Sequence, residues 1–374
     1  MSKLPSTMRA LVAPKYCEPK DYEVADVPVP TITGPKDVLI KMHAVGITTG
    51  DTQLTKGLGR FVLDEVSFPL KVGVEGAGVV AAVGSDVAQF RPGDEVYAFA
   101  FSRPMQVTKA GFCGEYAVAQ ERLTLHKPAG VPFEQASSMA NLVTAYQAIE
   151  QGLALMRANG VADADGRGDG LEGKTVFVPG ALSATGSVGV QLLKRVYGAG
   201  KVIASVSTAK VPLVEEYLPR LVDQVVDYTK VKRLTDAIPA GSVDLVYNTQ
   251  WIVVDTFPLL KPRTGVCASI ASVPAPEMIR EVLPPMPFFV YWLAALAQVY
   301  YAFRLRGTGV KHTFISGMPE VREDLERCGE FLATGKVRQV IRVVALEDIE
   351  RVREEAQKVA TGKGGVGKLV VKIV

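Results

Sequence analysis

Residues 175–194, TVFVPGALSATGSVGVQLLK, read as a buried strand, a tight turn of small residues and the opening of a helix. Thr175 to Val178 is a short apolar run stopped by Pro179 and Gly180, and from Val188 the residues Val190, Leu192 and Leu193 with Lys194 fit a helical face. Only Gly, Ala, Leu, Ser and Thr stand between them. A pyrophosphate can therefore approach the backbone, where the N–H groups and dipole of a starting helix favour negative charge. A strict G-x-G-x-x-G is absent, because Ala181 and Ser183 stand where the first two glycines would fall while Gly186 keeps the third. Taken alone, such a match fits an ordinary strand-to-helix turn equally well.

The segment KVIASVS (201–207) lies about one strand–helix–strand unit downstream, where a dinucleotide fold tests the ribose. No Asp or Glu ends it. Ser205, Ser207, Thr208 and Lys210 instead offer hydroxyl and ammonium donors suited to a 2′-phosphate, which favours NADP(H) over NAD(H). The plainer reading makes Lys210 a solvated helix-start lysine and Ser207 a cap for the helix that Val211 to Leu218 predict.

The 374 residues, 48% hydrophobic and 22% charged, suffice for two globular domains with real cores and exclude disordered and fibrous classes. A net charge of +3 with Lys and Arg spread along the chain argues against nucleic acid as a partner. Cys17, Cys113, Cys267 and Cys328 lie far apart without a C-x-x-C, so neither a zinc ribbon nor a disulfide framework is indicated, and a reducing, cytoplasmic setting fits. The leading MSKLPST has no apolar core of a targeting signal. The tract FFVYWLAALAQVYYAF (288–303) is short for a membrane span and reads first as a buried helix, pocket lid or subunit contact, and second as an amphipathic surface helix trailed by Arg304, Arg306 and Lys311.

Residues 8–130 are β-rich, with short runs such as MRALVAP, DVLIKMHAVGI and DEVYAFAF split by Gly, Pro and Asp. They predict a barrel-like domain. A helical pattern through Ala136, Met139, Leu142, Tyr146 and Ile149 leads to a polar surface loop at 158–174, whose faint calcium-loop pattern lacks the closing glutamate. From 175 to about 275, strands alternate with helices, which means a parallel sheet covered on both faces. The terminal elements KHTFI, VRQVIRVV and KLVVKIV are expected to return to the first domain. GKGGVGK (362–368) imitates a phosphate-binding loop, but a strand-like KLVVKIV follows where a helix would have to open, so the segment reads as a helix C-cap and turn.

Together GITTGD (46–51), GVEGAGVV (73–80), RPGDEVY (91–97), GFCGEY (111–116), SMANLVTAY (138–146), the cradle at 175–194, DQVVDY (223–228), GKVRQVI (335–341) and VGKLVVKIV (366–374) make the chain resemble the medium-chain dehydrogenase/reductase superfamily along nearly its whole length. The resemblance implies an α/β protein. A GroES-like β-barrel catalytic domain spans 1–140 and 305–374, and a Rossmann-type doubly wound parallel-sheet domain spans 141–304. It further implies pyrophosphate on Gly180, Ser183, Ala184, Thr185, Gly186, Ser187 and Val188, the 2′-phosphate near Ser207, Lys210 and Tyr228, and nicotinamide near Thr144 in a cleft holding a small-molecule substrate. Homodimers are common in the family.

Departures from the family pattern bear on the chemistry. Thr48 and Val74 replace a cysteine and a histidine ligand of the zinc alcohol dehydrogenases, and neither His43, His126 nor His312 falls at a ligand position, so no metal is expected. Without a Lewis acid, hydride addition suits an acceptor that delocalises the charge, such as an enone, an enoyl C=C or a quinone. The zinc-free branch holds quinone oxidoreductases and enoyl reductases, and the cradle looks like that of fungal polyketide enoyl reductases acting in trans, which would add a polyketide carrier protein as partner. Thr48 and Thr49 are the candidate hydroxyl donors, Thr48 the catalytic one, since TKGLGRF (55–61) contains no tyrosine. Asn248, where relatives usually carry Asp, is counted with the cofactor site and motivates a second reading in which bound NADP(H) serves a sensor or non-reductive role. Phe99, Phe101, Phe288, Phe289 and Trp292 are candidates for a wide apolar pocket.

Overall fold

In a computed structural model that describes residues 4–58, 67–103, 106–107, 110–161, 170–283 and 285–374, the chain divides into two units. The first comprises 1–140, 318–333 and 341–374; the second comprises 141–317 and 334–340. Most of the polar loop at 158–174, including its calcium-like residues, lies outside the described residues.

The first unit is organised around the strand Asp37–Ile47, whose apolar run is buried along both faces for nearly its whole length. It pairs antiparallel with Glu75–Val83 on one side. On the other, its first half pairs with Tyr116–Gln120 and its second half with Lys368–Lys372. Glu95–Phe99 and Thr124–His126 continue the sheet beyond Glu75–Val83, and Ile341–Ala345 lies parallel to Lys368–Lys372. A smaller sheet of Glu23–Pro28, Thr7–Ala13 and Leu70–Lys71 is packed into the same core, in which Leu11, Ile40, Met42, Phe112, Leu369 and Val371 are buried together. Gly362 ends the helix Ile349–Thr361 in the left-handed conformation, so the phosphate-loop imitation is a helix stop and a turn into a strand.

In the second unit six parallel strands stand in the order Gln224–Asp227, Lys201–Val206, Thr175–Pro179, Leu245–Asn248, Val266–Ser269 and Lys311–Phe314. This is a doubly wound sheet, whose strand sequence reverses direction between Thr175–Pro179 and Leu245–Asn248. Phe177, Ile203, Val246 and Cys267 fill its core from one face. Two placements depart from the sequence expectation. Lys311–Phe314 does not return to the first unit but adds to the edge of the parallel sheet, in register with Val266–Ser269. The stretch 334–340 also belongs here, since Gln191 on the helix Ala184–Arg195 bonds both the carbonyl of Arg338 (2.8 Å) and its N–H (2.9 Å).

The third departure is the apolar tract. Phe288–Leu305 forms an 18-residue helix in the crossover to the last parallel strand, but it is not a core helix. Ala294 and Tyr301 are buried on its inner side, where Tyr301 stacks edge-on to Phe257 and His312. Phe288, Phe289 and Trp292 on the other side are mostly exposed, while Phe99 is fully buried in the first unit against Tyr97 and Phe101.

Candidate functional site

The strand Thr175–Pro179 delivers the chain to the carboxyl edge of the parallel sheet at its reversal point, where open α/β sheets bind ligands. Gly180 turns it with φ of +69°, a region other residues rarely occupy. Its N–H and that of Ala181 donate to the carbonyl of Ser205 (3.0 and 3.3 Å), which ties the turn to the end of the neighbouring strand. Ser183 then caps the helix Ala184–Arg195 by accepting from the N–H of Gly186 at 3.0 Å. The Ser187 N–H returns to the Ser183 carbonyl (2.9 Å), so Ala184 and Thr185 supply the N–H groups that precede the first intrahelical bond.

Gly186 is fixed by space. A Cβ there would strike the Gly180 carbonyl and the Ser183 hydroxyl, so the helix start sits directly against the turn. Thr249, from the end of Leu245–Asn248, closes the other side by donating to the Pro179 carbonyl at 2.5 Å, with its hydroxyl 3.5 Å from that of Ser183. A backbone turn without bulky side chains at the positive end of a 12-residue helix fits a pyrophosphate. Ser187 and Val188 are buried in the helix wall, so of the predicted phosphate residues they support the turn from behind.

Ser207 and Lys210 follow the end of Lys201–Val206, and Tyr228 is brought beside them because its N–H donates to the Val206 carbonyl (3.1 Å). Tyr228 is half exposed, and Ser207 is the N-cap of the short turn Thr208–Lys210 without a side-chain capping bond. Sequence reading missed Asp227. Its carboxylate accepts from Thr208 (2.8 Å) and Thr229 (2.6 Å) and lies 3.4 Å from Lys230. Chiefly the Thr229 hydroxyl holds it well below the usual carboxylate range, at about 2. The signal was the final Asp of DQVVD, one strand further on, but only the parallel register opposite Val206 reveals its position.

Asn248 is fully buried and its amide donates to the Ser269 hydroxyl (2.9 Å) and the Ala271 carbonyl (3.2 Å), joining the ends of two strands. It positions the strand ends and leaves its amide spent on protein acceptors. Thr144, on the helix Met139–Ala158, packs against the backbone of Gly317, where any side chain would collide with its hydroxyl.

In the first unit Thr48 is the N-cap of Thr49–Thr55 within a reciprocal capping box. Its hydroxyl donates to Asp51 (2.7 Å) and accepts from the Asp51 N–H (3.0 Å), while the other Asp51 oxygen accepts from the N–H of Gly73. This corrects its assignment as a proton donor: the proton is already given to a buried carboxylate. Thr49 next to it is exposed. Val74 packs on the core, and Glu75 beside it forms a buried ion pair with Lys368 at 2.6 Å. His43 stacks on Phe133, His126 contacts the Gln89 carbonyl, and His312 is enclosed in the second unit. Among the described residues no three His, Cys, Asp or Glu side chains gather as a metal site.

A GroES-like barrel combined with a doubly wound parallel sheet and a phosphate-type turn defines the two-domain dehydrogenase/reductase class. Residues 34–140 match the family model of the alcohol dehydrogenase GroES-like domain. Over 279 residues the chain is 32% identical to an NADPH-dependent alkenal/one oxidoreductase of Arabidopsis thaliana, covering 74% of this chain and 66% of that protein. It is 31% identical to the 2-methylene-furan-3-one reductase of Solanum lycopersicum over 61% of this chain and 54% of the relative, so the matches span only about half to two thirds of these proteins. The fold superposes on the quinone oxidoreductase of Coxiella burnetii with a TM-score of 0.73 at 21% identity, covering 98% of this chain and 100% of that one. The chain belongs to the medium-chain dehydrogenase/reductase superfamily.

Proposed function

We propose that the protein is an NADP(H)-dependent oxidoreductase that reduces a conjugated acceptor, an enone, enoyl C=C or quinone. The observation that carries this reading is the turn Gly180–Gly186, packed directly against the start of the helix Ala184–Arg195, together with Ser207, Lys210 and Tyr228 at the end of the adjoining strand. When bound, NADPH supplies the hydride.

The protein's part is to hold and exclude. The N–H groups at Ala184 and Thr185 meet the pyrophosphate with partial positive charge. Lys210 and the hydroxyls of Ser207 and Tyr228 receive the 2′-phosphate, and Asp227, engaged by Thr208, Thr229 and Lys230, has its acceptor capacity committed to the protein rather than to a ribose. Thr49 is the hydroxyl in the GITTGD segment left for a substrate. The identity of the Arabidopsis and tomato relatives as an alkenal/one oxidoreductase and a methylene-furanone reductase supports a C=C acceptor. A trans-acting polyketide enoyl reductase is the narrower form of the same reading, favoured by a 32% identical Penicillium trans-enoyl reductase over 51% of this chain.

Purified protein with NADPH and a panel of quinones and enones should show steady loss of absorbance at 340 nm. Tight NADPH binding without turnover on any member would favour the sensor reading instead. Lys210→Ala should raise the KM for NADPH by roughly 10- to 100-fold, the worth of a charge-assisted bond, with little change for NADH. Equal losses for both would remove the 2′-phosphate assignment.

A further inference from the structure

The helix Phe288–Leu305 carries more apolar surface than its fold requires. Its inner side is already complete, since Ala294 and Tyr301 are buried, Ala297 and Leu305 pack on the core of the second unit, and Gln298 and Tyr301 bond the backbone of Val273. Its outer side nevertheless presents a stripe at helical spacing: Phe288, Trp292, Leu296, Val299 and Phe303, with Leu293 beside it. Phe288 is 83% exposed, Trp292 68% and Phe303 69%. Aromatic side chains expose on the order of 150–250 Å² each when free. The stripe therefore exceeds the roughly 300–600 Å² of the largest apolar patch on an ordinary monomer.

The fringe of this stripe is one-signed. Arg304 and Arg306 at its end and Lys311 just beyond are exposed, and exposed Arg263 joins them because its N–H donates to the Thr308 carbonyl (2.7 Å). Arg304 also reaches back along the helix to donate to the Tyr300 hydroxyl at 3.0 Å. From 282 to 319 the sequence has no Asp or Glu. Glu277 and Glu281 sit on the preceding helix Pro276–Val282, where Arg280 lies 3.9 Å from Glu277 and over the ring of Tyr291.

We propose that this face is a docking surface for an anionic lipid bilayer, with the helix lying in the interface rather than crossing it. By length and composition it passes as a membrane span, but one side is committed to the protein core and the helix lies in the crossover between Val266–Ser269 and Lys311–Phe314, neighbouring strands of one sheet. Trp and Phe inserted at headgroup depth with arginines facing the phosphates is the arrangement of an interfacial helix. A second copy of the chain would bring the same arginines and no carboxylate from its own 282–319 stretch to meet them, so charge selects the anionic surface.

The test is co-sedimentation of the purified protein with vesicles of phosphatidylcholine alone and of phosphatidylcholine with phosphatidylserine. The expected result is binding to the anionic vesicles that weakens with salt. The chain has two tryptophans, and Trp251 is exposed as well, so a Trp251→Phe background lets Trp292 report a blue shift on binding. Trp292→Glu with Phe303→Glu should abolish sedimentation while the thermal midpoint and NADPH binding are retained. Arg304→Gln with Arg306→Gln should weaken binding by about twenty-five-fold, at roughly five-fold per arginine. Failure to bind either vesicle, equal binding to both, or a solution dimer that Trp292→Glu converts to monomer would each overturn the proposal, the last by making the face a contact between copies.

Discussion

Thr48 and Thr49 are chain neighbours with opposite fates. Both looked like hydroxyl donors in GITTGD, but the helix beginning at Thr49 takes the Thr48 oxygen for its cap and its proton for Asp51. Thr48→Ala should cost about 1 kcal/mol of stability, measured by urea denaturation, through the lost cap. Thr49→Val should leave stability unchanged and lower kcat if that hydroxyl meets the acceptor. Lys368 shows the limit of sequence reading at this scale. Its place in GKGGVGK could be cleared of phosphate binding because no helix follows, yet its real partner Glu75 is 293 residues away. Lys368→Met strands the Glu75 carboxylate in the core and should cost about 3–5 kcal/mol. Glu75→Gln added to it should recover part of that loss, and urea denaturation of the native protein, both single variants and the double variant measures the coupling.

Among elements, the cradle was legible because its chemistry is local: small residues, a stop at Pro179–Gly180 and a helix start all lie within twenty residues of sequence. Gly186→Ala should disrupt it, since the new Cβ meets the Gly180 carbonyl and the Ser183 hydroxyl. The expected outcome is a lower thermal midpoint and at least ten-fold weaker NADPH binding by fluorescence titration, the turn being forced away from the helix. Asp227 escaped notice for the converse reason, because its nearness to Thr208 exists only once two strands align. The apolar helix is not buried within the chain as a core helix would be, because composition reports how apolar a helix is and not which of its sides has a neighbour. Lys311–Phe314 was misassigned likewise: a four-residue strand carries no record of the sheet it joins.

At the scale of the molecule, the alternation of strands and helices and the β-rich opening made both architectures readable, while the interleaving of the two units after residue 317 was not. One consequence of burial there concerns acid. His312, desolvated among Tyr301, Phe257 and the hydroxyl of Ser272, has its pKa lowered to about 4. The unfolded chain, with an ordinary histidine near 6.5, binds more protons between those values, so stability is full above about 6.5 and falls as the pH drops toward 4. The loss amounts to about 3 kcal/mol at most. His43, lowered in the same direction mainly by burial, contributes with the same sign, so the check is the difference between native protein and His312→Phe in urea midpoints at pH 7 and 4.5. The variant should lose less.

The strand Lys368–Lys372 lies between Asp37–Ile47 and Ile341–Ala345, inside the sheet of the first unit rather than at its rim. On the ribosome every other strand of that sheet emerges before it. A nascent chain thus holds its amino-terminal barrel open, with the groove beside Asp37–Ile47 unfilled, while the intervening parallel sheet is already complete and free to form. Pairing along the second half of Asp37–Ile47 therefore waits for residues 368–372, whereas the strands of the parallel sheet all lie within 175–314.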